Sequence, residues 1–168
     1  VAAADARAAM GLTTGRGLVR EVGAGIVGYV ATLPLLAVGV LGTLLLAVAT
    51  GLAAGPAIDD PSQALLPATA PAHPIVGEIG RSAAVTLLVL VAGAVAAPIV
   101  EEIFFRGCLH GHVRSGLRRL GFAAPLAAAL ITAFIFAAIH PQGWIAVPAL
   151  MSLAVGFSLV REWRGSVV

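Results

Sequence analysis

The sequence predicts an all-α, polytopic transmembrane helical bundle with about four spans. Three observations carry that expectation. First, 60% of the 168 residues are hydrophobic and 11% are charged, with a mean hydropathy of +1.02. A soluble domain carries about 25% charged residues. Second, no Asp, Glu, Lys or Arg occurs from Val22 to Ile58, from Ser82 to Val100, or from Leu120 to Val160. About 20 apolar residues suffice to cross a bilayer. Third, the arginines and a cluster of four prolines fall between those runs, where connections belong.

Residues 1–21 are mixed, with Arg7, Arg16 and Arg20 set against Asp5 and Glu21. The first span is expected at roughly 24–50, too long for the apolar core of a cleaved signal peptide at about 15 residues. Pro34 within it is tolerated because neighbouring helices re-satisfy the freed carbonyl. Residues 51–81 hold Pro56, Pro61, Pro67, Pro71 and Pro74 with Asp59, Asp60 and Glu78, and read as an extended connection. His73 lies within it and reads as an ordinary loop residue.

Apolar character resumes at Ser82 and runs through Pro98-Ile99-Val100 into Glu101-Glu102-Ile103-Phe104-Phe105-Arg106-Gly107. That helix is expected to continue to about Arg114, since 1.5 Å per residue lets the span and its interfacial end form one rod. The run from Leu120 to Val160 is too long for one span. His140-Pro141-Gln142-Gly143 divides it, because the residue before proline is pushed out of the helical region. Spans three and four then cover roughly 121–140 and 144–160. The arginine-bearing segments assign both chain ends and the 114–119 connection to the cytoplasm. An N-terminal part (1–81) and a core (82–168) are the expected units.

Composition also excludes classes. The net charge of +2 is small and scattered, so no nucleic-acid partner is expected. The lone Cys108 rules out an internal disulfide and a multi-cysteine metal site. The expected partner is the lipid bilayer itself. Every basic residue is arginine, and Ala and Gly are abundant, which suits a GC-rich bacterial genome and hence a bacterial cytoplasmic membrane.

Ionisable residues set into a membrane span are functional candidates. Glu102 and Arg106 stand at i and i+4 and can pair on one helix face. Glu101 is then left without that partner, and an unpaired carboxylate in low dielectric suits a general base. Alone, this pattern is better read as a structural ion pair at the membrane boundary. Phe136 and His140 are also i and i+4, so the phenyl ring can restrict the imidazole. Measured from the turn, Glu101 lies roughly 20 Å deep and His140 roughly 25–30 Å along the returning helix. The two can share a water between antiparallel helices. His110 and His112 read as interfacial residues away from such a site.

Glu101-Glu102-x-x-x-Arg106, preceded by Ala97-Pro98-Ile99-Val100, resembles the first motif of the CPBP (CAAX prenyl protease and bacteriocin-processing, or ABI) family of intramembrane proteases. Phe136-x-x-x-His140 resembles the second motif, and Trp163-Arg164-Gly165-Ser166 the short turn before the last motif span. The resemblance covers roughly residues 85–168. It implies an intramembrane endopeptidase in which Glu101 activates water with His140 assisting, Glu102 and Arg106 orient the site, and Phe136 backs the histidine. The implied substrate is a membrane-associated peptide or protein, with small-peptide processing or bacteriocin immunity as the biology. Zinc is a possible cofactor, with Glu101, Glu102 and His140 as its ligands, although the His-Glu-x-x-His pattern is absent. The family's further His-x-x-x-Asn/Asp motif is expected beyond Val168, so the chain reads as C-terminally incomplete. A proton or ion relay and a non-catalytic relative of the protease are the rival readings.

Overall fold

In lipid a helix satisfies every backbone amide within its own segment, and the described part of each long apolar run is largely helical. The structure, a computed structural model, describes residues 8, 10–12, 17–51 and 78–165. Residues 52–77, with His73 and the five prolines of the expected connection, lie outside the described residues, as does Ser166.

Helix α1 (Leu18–Ala49) carries Pro34 in its interior. Helix α2 (Ala83–Gly116) is a single long rod, begun by Ser82, whose hydroxyl accepts from the Val85 N–H at 3.2 Å. It widens into π-helical turns at Ala92–Ala96 and Glu102–Leu109. A 3₁₀ turn, Arg118–Ala123, bent at Gly121 (φ 57), leads into α3 (Ala124–Ile139). His140 is extended (ψ 140), as its position before Pro141 requires. Gly143 then turns with φ 72, and Trp144–Ala146 leads into α4 (Val147–Arg164). The four described helices are long and apolar enough to cross a membrane, so the chain is an all-α integral membrane protein.

Small residues set the packing. Without a hydrophobic drive between helices in lipid, close backbone approach must supply the contacts. Antiparallel α1 and α4 show this along their length: Glu21 pairs with Arg164, Gly28 abuts Val160, Thr32 abuts Gly156 and Gly39 abuts Ser152. A Cβ added at Gly156 would overlap the Thr32 side chain. Farther along, Thr43 accepts from the Ala149 N–H at 3.2 Å, satisfying an amide in the first turn of α4 that no intrahelical carbonyl can reach. Helix α3 presents a buried stripe of Ala128, Ala129, Ala133 and Ala137. Large apolar side chains such as Leu44, Leu88, Val100 and Leu130 face outward, where acyl chains lie.

Helix α2 runs parallel to α4 and antiparallel to α3, bringing Arg106 to Phe157 and His110 to Glu162. The start of α1, the end of α2, the start of α3 and the end of α4 therefore share one end of the bundle. Arg20, Arg114, Arg118, Arg119, Arg161 and Arg164 gather there.

Candidate active site

The site grows from the π-helical stretch of α2. Widened helical turns are frequent at functional positions, and this one begins at Glu102 and carries Phe105, Arg106 and Gly107 buried. Glu102 meets the Arg106 guanidinium at 3.3 Å. Arg106 is only 3% exposed and Glu102 is 32% exposed. The guanidinium lies 4.9 Å from the Phe136 ring centroid and 5.5 Å from that of Phe157. Aromatic faces and one carboxylate thus take the place of water around a charge sunk into the bundle. Gly107 faces the Met10 carbonyl, which a Cβ there would meet at 2.9 Å.

Phe136 is the hub on the α3 side. Its ring stands edge-on to Phe105 at 5.0 Å and rests against the His140 imidazole at 4.0 Å. Its backbone carbonyl accepts from His140 Nδ1 at 2.7 Å. A carbonyl can only accept, so Nδ1 carries the proton, and in the neutral ring Nε2 keeps its lone pair. The last turn of α3 and the extended residue before Pro141 together fix the tautomer.

The Glu101 carboxylate forms no hydrogen bond or salt bridge to another described residue, although the charge of Arg106 reaches it. It lines a cavity of ≈ 600 Å³ between α2 and the end of α3. Ala92, Gly93 and Ala97 form the α2 wall, while Phe105, His140 and Gln142 face the same space. Two residues 39 positions apart in sequence, a carboxylate and an imidazole, are brought to one concavity. Glu102 is turned instead to Arg106. Among the described residues, no group of three or more His, Cys, Asp or Glu side chains could hold a metal ion. The set Glu101, Glu102 and His140 considered for zinc is therefore not assembled.

Residues 83–168 match the family described as Type II CAAX prenyl endopeptidase Rce1-like. The chain belongs to that family. It is thus a CPBP-type intramembrane protease by family, and CAAX-protease-like function is the general activity this membership supports. No curated protein and no solved structure matches the chain. The matched region of this Rce1-like chain takes in α2, α3 and α4, and so every residue of the cavity wall.

Three residues of this Rce1-like chain play parts that local sequence reasoning missed. Phe105 both lines the cavity and packs on Phe136. Gln142 reaches the cavity from the turn after Pro141, and its Oε1 is buried with no hydrogen-bond partner among the described residues. His110, expected at the interface, is instead 0% exposed, with Nε2 2.8 Å from Glu162 Oε1. The correction has a tertiary cause: α4 lays its one described acidic residue over that face of α2. The i, i+4 spacing of His110 and Arg114, both of which reach Glu162, was the available signal. His112 is exposed.

Proposed function

We propose that this protein is an intramembrane endopeptidase that hydrolyses membrane-associated peptides by water activated between Glu101 and His140. The observation that carries this reading is the shared cavity, which holds a carboxylate without a salt-bridge partner and an imidazole of defined tautomer. A water there would donate one hydrogen to Glu101 and the other to His140 Nε2. Glu101 takes its proton as the water oxygen attacks the scissile carbonyl carbon. The C–N bond then breaks, and the proton passes to the departing amine. Such general acid–base catalysis contributes about 10²–10⁴-fold. Glu102 and Arg106 hold the helix surface beside the base, and Phe136 holds the imidazole from behind. The mechanism uses these groups without a metal-bound water.

The substrate class follows from the walls. Alanine, glycine and Phe105 on α2, with Ile139 and Pro141 opposite, favour an extended peptide with small or apolar side chains entering from the bilayer. Processing or clearance of small peptides, bacteriocins included, at a bacterial cytoplasmic membrane is the proposed role. The arginine-rich end of the bundle would face the cytoplasm.

The test uses full-length protein in liposomes with a panel of amphipathic peptides. Glu101→Gln and His140→Ala should each abolish cleavage while helicity and oligomeric state are retained. Full cleavage by both variants would overturn the proposal. Glu101-dependent proton flux without any proteolysis would replace it with the relay reading.

A further inference from the structure

A second concavity lies at the arginine-rich end, away from Glu101 and His140. It measures ≈ 400 Å³ and is walled by Arg114 and Ser115 of α2, Arg118 and Gly121 of the connecting turn, and Arg161 of α4. No acidic residue lines it. The neighbouring carboxylate is Glu162, which already receives His110 at 2.8 Å, Arg114 at 3.3 Å and Arg161 at 3.4 Å. Arg114 and Arg161 thus both reach Glu162, and a third guanidinium, Arg118, stands at the same opening. Arg118 donates Nε to the Ser115 carbonyl at 3.1 Å and pairs with no carboxylate among the described residues. Its terminal amino groups remain to meet an incoming anion.

The level of this opening identifies the anion. Phe122, next to Gly121, is 100% exposed, and Leu120 and Trp163 are 49% and 63% exposed at the same end of the bundle. Aromatic and apolar side chains at a helix boundary sit where headgroups meet acyl chains. A free anion would need none of them. Guanidinium forks match phosphate oxygens in pairs, and basic pockets between spans suit anionic headgroups.

We propose that this pocket binds the phosphate of an anionic phospholipid, with Arg114, Arg118 and Arg161 as its donors and Phe122 beside the lipid's acyl chains. A lipid held there bridges α2 to α4 and supplements the contacts that Glu162 makes between those helices at this end. The site stands independently of the peptidase reading.

Native mass spectrometry of delipidated full-length protein tests this, with phosphatidylglycerol, phosphatidylcholine and inorganic phosphate each added alone. Phosphatidylglycerol should bind at least about tenfold more tightly than phosphatidylcholine, and inorganic phosphate should not be retained. Arg118→Gln should weaken phosphatidylglycerol about fivefold, and adding Arg114→Gln should weaken it about fivefold again. Arg118→Lys should keep most of the binding, and Arg119→Gln, outside the pocket, should keep all of it. Equal retention of the two lipids would overturn the proposal. Equal losses in Arg118→Gln and Arg119→Gln would reduce the effect to diffuse surface charge. Retention of inorganic phosphate as tight as that of the lipid would make this a free-anion site. The Arg118→Lys variant keeps the comparison valid if Arg118→Gln fails to fold.

Discussion

Replacing Arg106 by lysine separates its charge from its shape. The guanidinium is 3% exposed, makes a 3.3 Å ion pair with a partner that is 32% exposed, and lies 4.9 and 5.5 Å from two ring centroids. Losing one partner of a buried pair costs about 3–5 kcal/mol, whereas a surface pair contributes about 0–1. Glu102 sits between those limits, so removing the charge costs about 2–3 kcal/mol. Each ring face adds about 0.5–1 kcal/mol. Arg106→Ala is then expected to destabilise by about 3–5 kcal/mol, and Arg106→Lys, which keeps the charge and loses the planar fork, by about 1–2 kcal/mol. Reversible unfolding of the full-length protein in bicelles measures both. A double-mutant cycle of Arg106→Lys with Phe157→Leu should return a coupling of about 0.5–1 kcal/mol. If Arg106→Lys unfolds with the parent and the coupling is zero, the rings contribute nothing to holding this charge.

Three further outcomes are expected. Glu162→Gln withdraws the carboxylate shared by His110, Arg114 and Arg161, and should lower stability by about 2–3 kcal/mol in the same unfolding assay; an unchanged midpoint would show that the cluster is energetically idle. Gly156→Leu forces a side chain into Thr32 and should cost about 1–3 kcal/mol by overpacking. It should also abolish disulfide formation between cysteines placed at Thr43 and Ala149, with Cys108 replaced, and persistent crosslinking would show that α1 accommodates the added bulk. Gln142→Ala removes an amide from the cavity wall and should lower kcat/KM for peptide cleavage by about five- to tenfold, as expected for one lost hydrogen bond. Unchanged kcat and KM would exclude a substrate contact at that position.

Features with local causes could be read from the chain alone. Charge-free runs imply helical spans because lipid offers no other partner for the backbone. His140 leaves the helix because Pro141 follows it. Glu102 and Arg106 meet because i and i+4 share a face, even within the widened turn. The glycines and threonines of α1 were equally visible, but nothing local says which helix they will touch.

Partners supplied by distant elements belong to the tertiary structure. His110 looks interfacial by position, and only α4 buries it under Glu162, 52 residues away. Arg106 reads as half of an ion pair until Phe136 and Phe157 close over it from two other helices. The common cavity of Glu101 and His140 likewise depends on the antiparallel register of α2 and α3, which depth arithmetic permitted without requiring. In a bilayer the spans form wherever the chain is apolar. Which faces meet is decided by small residues and by the few buried charges that must find one another, and that choice exists only once all four helices are assembled.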